Sequence, residues 1–215
     1  MTDIITMPDE LYRNTLVRFN PTHLNASAQA SAFNPFGRTD GPSAVFWQVE
    51  MTFQISDPDT YLKFRRFVMK LKGGKVLARI YDLQMTTAVY DTQPRGAGGS
   101  GPVVNIDAAG ATGDETVTLR NLIPSQSVAL MFGDQIGIGE NLYPVLDSVA
   151  SDAGGLATVT LGIPLRMGVA EGDPVNLVKP TGLFRLVAGG DQLAMSTEHI
   201  GQAFALSFIE EPEFA

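Results

Sequence analysis

One segment of the chain, residues 44–83, most constrains the fold, because it predicts a strand, a helix and a strand that cannot bury their apolar faces alone. In its first part apolar and polar residues alternate, which is the period-two pattern of a half-buried antiparallel strand. The apolar members of this pattern are Trp47, Val49, Met51, Phe53 and Ile55. One face of the strand therefore needs a partner from elsewhere in the chain.

A helix is predicted to begin directly after this strand. Ser56 or Asp57 can accept the free backbone N–H groups of a first helical turn, and Pro58 fits that turn because no N–H is needed there. Gly73 and Gly74 end the helix, since glycine tolerates the positive φ that follows a helix. The apolar stripe recurs at helical spacing: Tyr61, Phe64, Val68 and Leu71, widened by Leu62 and Phe67. The basic residues predict a solvated face: Lys63, Arg65, Arg66, Lys70 and Lys72.

The apolar face of this unit is completed by a segment from the other end of the chain. A second strand is predicted at 75–81, and residues 202–209 alone offer a further strand of the same quality. The apolar residues of that segment share one face: Phe204, Leu206 and Phe208. We therefore predict a discontinuous β-sandwich or sheet-plus-helix domain, formed by residues 44–93 and 183–211.

Residues 103–182 predict a small antiparallel β-barrel or compact sandwich, inserted into the first domain. Short strand candidates follow one another there: residues 116–120, 127–132, 135–138, 142–149, 156–161 and 174–178. Turns rich in glycine and aspartate separate them: Gly113-Asp114, Gly133-Asp134, residues 152–155 and Gly172-Asp173. We interpret these aspartates as turn formers rather than metal ligands, because Asp caps its own backbone in tight turns. The fold class is mainly β with one principal α-helix.

Two further segments lack regular periodicity. Residues 94–102 are rich in glycine, a composition that predicts a flexible linker. A phosphate-binding loop is not favoured, because the segment lacks the Lys-Ser/Thr ending of such a loop. Residues 1–43 are predicted to be an N-terminal arm, because 20–42 combine small and polar residues with three prolines. This arm is either a surface loop or an extension that orders against a neighbouring subunit.

The composition argues against several classes of protein. With 23 acidic and 15 basic residues the net charge is −8, whereas a protein that binds the nucleic-acid backbone needs a basic face. The absence of cysteine excludes disulfides and thiolate metal sites. No window approaches the roughly 20 apolar residues of a membrane helix, and the N-terminus shows no signal-peptide pattern. We expect no membrane insertion and synthesis in a cytoplasm.

Catalytic patterns find little support. His23 and His199 lack the paired spacing of metal ligands. Ser196 and Glu198 stand near His199, but adjacent positions do not aim a nucleophile, a base and an orienting acid at one another. We therefore expect no enzyme, no catalytic residue, no metal and no cofactor. A hydrolase that uses His199 or Asp134 is the least favoured alternative.

Three stretches of the sequence carry a resemblance to a known family. They are GGKVLARIYDL, the run from GDQIGIGENLYPVLDSVASDAGG through PLR to PTGLFRL, and the closing FALSFIEE. In this order they resemble distal tail proteins of long-tailed (siphovirus-type) bacteriophages. The resemblance covers residues 45–211 and is most specific over 133–186.

This resemblance implies a structural protein of the phage virion, made in the host bacterial cytoplasm and located at the tail tip. Members of the family form a homo-oligomeric ring, usually a hexamer, that joins the tail tube to the tip and host-recognition proteins. The expected partners are therefore other copies of the chain, the tail tube protein and the tail tip or hub proteins. DNA would only pass through the lumen of the ring, and no enzyme activity is implied.

An interface between subunits is expected on the sheet. The residues that we predict as its anchors are Trp47, Phe53, Phe204 and Phe208, each of which also fits a place in the core. A carbohydrate- or receptor-binding module is the alternative function, since small β-domains often carry ligand sites in their loops. Its only aromatic-rich spot would be Phe132 with Tyr143.

Overall fold

The computed structural model describes residues 3–13, 15–24, 44–82, 103–188 and 203–211. Within them the chain is mainly β with one principal helix, which confirms the predicted class. The strands are β1 Ile4–Thr6, β2 Thr15–Leu24, β3 Ala44–Gln54, β4 Leu77–Tyr81, β5 Asn105–Ile106, β6 Thr116–Arg120, β7 Gln135–Ile138, β8 Asn141–Pro144, β9 Ala157–Thr160, β10 Val175–Asn176, β11 Thr181–Ala188 and β12 Ala203–Glu210. The α-helices are α1 Asp9–Tyr12 and α2 Pro58–Lys70, and a short 3-10 helix at Lys72–Gly74 follows α2. None of the described helices is long and apolar enough to span a bilayer.

The strand and helix predicted at 44–83 are present. Apolar residues of β3 are buried at alternate positions from Trp47 to Phe53, as the period-two pattern requires. Asp57 caps α2, because its carboxylate accepts the backbone N–H of Thr60 at 2.8 Å. The prediction that Leu62 belongs to the buried apolar stripe is wrong, because its side chain is exposed.

The C-terminal segment completes the main sheet, as predicted. Six strands lie in the order β1-β4-β11-β12-β3-β2. Strand β12 pairs antiparallel with β3, so that Phe204 lies opposite Phe53. Helix α2 covers this part of the sheet, with the ring of Phe64 at 4.7 Å from that of Phe53 and at 5.3 Å from that of Phe204. These apolar side chains are buried and form one core with the residues around them.

The prediction of an arm over residues 1–43 is wrong for its first part. Strand β1 pairs parallel with β4 at one edge of the sheet, and β2 pairs antiparallel with β3 along ten residues at the other edge. Helix α1 lies between them in sequence, so residues 3–24 cross the sheet from edge to edge. Asn20 and Pro21 interrupt the strand pattern of β2, so the sequence does not predict this strand. Proline is nevertheless acceptable on an edge strand. Residues 25–43 lie outside the described part.

Residues 103–188 contain two further sheets of three strands. Their orders are β10-β7-β8 and β5-β6-β9, and all their pairs are antiparallel. The strands predicted at 116–120 and 135–138 are β6 and β7, while the other confirmed strands are shorter than predicted. No strand forms at 127–132, where Leu130 makes a single bridge to Val149 before the chain turns. The predicted linker 94–102 lies outside the described residues.

Three Gly-Asp turns share one hydrogen-bonding pattern. The backbone N–H groups of Ala111, Met131 and Ala170 donate to the carboxylates of Asp114, Asp134 and Asp173 at 2.7, 2.8 and 2.7 Å. In each turn the glycine has a φ of 88° to 95°, which suits a residue without Cβ. Asp152 acts in the same way, since its carboxylate accepts the N–H groups of Gly154 and Leu156 at 2.8 Å. The interpretation of these aspartates as turn formers is confirmed.

The pair Gly73 and Gly74 gives a matched test of this fold. Both have positive φ, at 65° and 89°, but a Cβ at Gly73 would meet nothing within 4 Å, whereas one at Gly74 would lie 2.5 Å from the carbonyl oxygen of Leu186. We expect Gly73→Ala to lower the free energy of unfolding by about 1 kcal/mol, which is the cost of the left-handed conformation. Gly74→Ala should cost at least about 2 kcal/mol, because backbone must also move. Urea unfolding monitored by circular dichroism measures both, and equal losses would contradict the placement of β11.

Candidate interaction surfaces

A buried ion pair joins the segment 103–182 to the main sheet. Arg166 donates from its two terminal nitrogens to the two carboxylate oxygens of Glu210, at 2.5 and 2.7 Å. The backbone N–H of Trp47 also donates to Glu210 Oε2 at 3.0 Å, and the backbone N–H of Arg166 donates to the hydroxyl of Tyr143 at 3.1 Å. Both charged side chains are almost completely enclosed. The two hydrogen bonds from Arg166 and the one from the Trp47 N–H occupy both oxygens of the Glu210 carboxylate. The cluster therefore serves as a structural anchor and not as an open reactive site.

Two more ion pairs cross the same boundary nearer to solvent. Arg79 on β4 forms a bidentate pair with Glu140, in the turn between β7 and β8, and this hydrogen bonding raises the pKa of Arg79. Lys179 donates to Asp9 of α1 at 2.7 Å, and this bond lowers the pKa of the Asp9 carboxyl. Tyr81 also donates to Asp9, at 3.1 Å. Three ion pairs thus tie residues 103–182 to α1, β4 and β12.

The residues predicted as interface anchors lie on strands β3 and β12 of the main sheet. The side chains of Trp47, Phe53, Phe204 and Phe208 are all buried within the single chain. A side chain enclosed by its own chain has almost no surface left for a neighbour, so these four residues act as core, the other role that their pattern allowed. Any interface has to be sought among exposed residues.

Of the residues considered for chemistry, Asp134 and His23 lie in the described part of the chain. Asp134 is buried in a turn, where its carboxylate binds the backbone. His23 lies on the edge strand β2, while Ser196 and His199 are outside the described residues. Among the residues that the structure does describe, no group of three or more histidines and acidic residues could hold a metal ion.

One exposed apolar surface lies on helix α2. Leu62 and Met69, seven residues apart, are 58% and 65% exposed. They line a shallow groove of about 520 Å³, whose remaining walls are basic: Arg65, Arg66, Lys70 and Lys72. We call the six residues the outer helix face. The sequence pattern predicts that the basic residues face solvent, but it gives no sign that Leu62 and Met69 are exposed between them, because Leu62 fits the edge of the buried stripe equally well.

A second exposed apolar surface lies within residues 103–182. Phe132 is 68% exposed at the tip of the second Gly-Asp turn, and Met131 and Leu146 are exposed beside it in the fold. The backbone holds the tip firmly, since the N–H of Phe132 donates to Ser148 Oγ at 3.0 Å and the N–H of Gly133 to the carbonyl of Val145. With Asp147, the residues Met131, Phe132 and Leu146 form what we call the Phe132 tip. Tyr143 is fully buried, so the aromatic spot predicted for it and Phe132 does not form.

The main sheet also ends in two unlike edges. Within the described residues β1 pairs only with β4, and β2 pairs only with β3. The first edge is three residues long and parallel to its neighbour, and the second is ten residues long and antiparallel. Backbone groups along such an edge are available to pair with another chain.

Comparison with known proteins adds no family to these observations: no protein-family model matches the chain, and no curated protein matches its sequence.

The buried ion pair gives a sharp stability prediction. We expect Arg166→Ala to lower the free energy of unfolding by about 3–5 kcal/mol, because it leaves the Glu210 carboxylate buried without its partner. The matched control is Lys63→Ala, which removes an exposed pair with Glu10 and should cost less than about 1 kcal/mol. Replacing both partners, with Arg166→Met and Glu210→Met, should recover much of the loss. Urea unfolding measures all three, and similar losses for Arg166→Ala and Lys63→Ala would refute the anchor.

Proposed function

We infer that this chain is a structural virion protein of a phage tail tip, which forms a ring between the tail tube and the tip or host-recognition proteins. The ring is a homo-oligomer, a hexamer in its usual form, and it continues the DNA channel of the tube. No catalytic activity is part of this function. The proposal combines the resemblance of residues 45–211 to distal tail proteins with the two edges of the main sheet, which pair with no further strand among the described residues.

The unlike edges are the observation that carries the proposal. A ring arises when one patch of a subunit binds a different patch of the next and the rotation between them closes. Strands β1 and β2 lie at opposite ends of one sheet, so each copy offers one edge to each of two neighbours. A closed ring satisfies every edge, whereas an isolated copy leaves both open to nonspecific pairing.

The finer architecture fits the same function. The main sheet with α2 forms the ring domain, and the segment 103–182 forms a small barrel-like module inserted between β4 and β11. The three ion pairs hold this module against the sheet at a fixed position. The module then lies on the outside of the ring, where it provides a surface for neighbouring proteins.

The charge of the chain also suits a DNA channel. A net charge of −8 repels phosphate, and an acidic lumen would discourage DNA from sticking as it passes. In this function DNA is cargo of the assembled tail and not a ligand of the single chain.

Imaging of the purified chain tests the proposal directly. Native mass spectrometry and negative-stain microscopy should show closed rings of a single size, six copies in the usual case. Deletion of residues 1–6 removes β1 and should abolish the rings while the circular dichroism spectrum keeps its β signature, because β1 contributes only three residues to the fold. Leu156→Ser changes an exposed residue that lies outside the strands of the main sheet and should leave the rings intact.

A strict monomer at high protein concentration would overturn the ring. A monomer that binds glycans in solution would instead favour the carbohydrate- or receptor-binding alternative.

A further inference from the structure

Charge is distributed unevenly along the chain. Residues 103–182 contain nine acidic and three basic residues, whereas residues 58–72 contain five basic residues and one acidic residue. The three cations of the inserted segment are all paired within the chain: Arg120 with Asp107 and Glu171, Arg166 with Glu210, and Lys179 with Asp9. Among the described residues, the segment therefore presents a surplus of negative charge, and residues 58–72 present a surplus of positive charge.

The cations of the outer helix face are largely uncommitted. In the described part of the chain Arg65, Arg66 and Lys70 form no ion pair, and Lys72 has one long contact with Asp3 at 3.6 Å, both side chains being exposed. Across the same part of the chain, Asp147 at the Phe132 tip also lacks an ion-pair partner. Opposite charges on two surfaces favour their encounter and fix the orientation in which they bind.

The two surfaces also match in their apolar parts. The outer helix face offers Leu62 and Met69 in the lining of a groove, and the Phe132 tip offers one exposed aromatic ring with Met131 and Leu146 beside it. An aromatic side chain that enters an apolar groove ringed by polar groups is the usual arrangement of an interface hot spot. Methionine adds a favourable contact between sulfur and the ring. Both surfaces are exposed in one chain, so neither covers the other within it.

We propose that the outer helix face of one copy binds the Phe132 tip of the next copy. This inference rests on the proposed ring and names a second contact between its subunits, separate from the sheet edges. Because the two surfaces differ, the contact is heterologous and can repeat from copy to copy around a closed ring. Phe132 lies between Leu62 and Met69, and Asp147 faces the arginines.

Disulfide cross-linking tests the contact cleanly, because the native chain has no cysteine. The variant with Met69→Cys and Phe132→Cys should give, after mild oxidation, a ladder of covalent multimers on a non-reducing gel. Mixing the two single variants should give covalent dimers that contain one copy of each. The matched control replaces Met69→Cys by Val187→Cys, an equally exposed position on β11 that should give no ladder.

A charge exchange tests the same contact without cysteine. Arg66→Glu should weaken assembly roughly tenfold in analytical ultracentrifugation, since it places like charges opposite each other. Asp147→Arg should weaken it to a similar degree, and the combination of both should restore assembly in part. The single variants also report on folding, because both residues are exposed and their circular dichroism should not change.

The outcomes separate this contact from the ring itself. Rings that assemble without the selective cross-link, and that tolerate Arg66→Glu, would overturn this contact and leave the proposed function standing. A chain that stays monomeric and gives no cross-link would overturn both. A selective ladder together with rescue by the double charge exchange would establish the contact.

Discussion

The enclosed carboxylate of Glu210 is the constraint on which the rest of the structure depends. Glu210 is the last residue of β12. Its carboxylate binds the guanidinium of Arg166, in residues 103–182, and accepts a hydrogen bond from the backbone N–H of Trp47 on β3. A buried charge tolerates little displacement, because each lost hydrogen bond leaves an unsolvated group. One group of atoms therefore fixes both the register of β12 on β3 and the position of residues 103–182 against the main sheet.

This dependence links parts of the chain that are far apart in sequence. The main sheet takes strands from the first 24 residues, from the middle and from the C-terminal region. Such a sheet is dominated by long-range pairings, and folding is slow where distant segments have to meet before any of their contacts form. Strand β12 lies between β11 and β3, so the sheet is continuous only after the end of the chain has joined it.

Local signals explain which elements could be predicted from the sequence. The alternation in β3, the cap at Asp57 and the glycines after α2 each act over a few residues, and the structure contains all three. Strand β2 was missed because Asn20 and Pro21 interrupt its pattern, and the strand is held mainly by its pairing with β3.

Other features depend on tertiary structure and leave no such signal. The Arg166–Glu210 pair joins residues 44 positions apart, and no rule of sequence spacing predicts an ion pair over that separation. The same apolar alternation marks a core and an interface, so the burial of Phe53 and Phe204 could be read only from the packed structure. The exposure of Leu62 and Met69 has the same cause: a helix periodicity gives the direction of a side chain, but not the width of the surface that covers it.

The path of residues 3–24 has a consequence for how copies could join. This one short segment forms both borders of the main sheet, with a single helical turn between them. If copies join border to border, a molecule whose N-terminal segment has not folded lacks both binding borders at once. Through the sheet edges, such a molecule cannot attach on one side and block further growth on the other. Defective copies would then be left out of an assembly instead of terminating it.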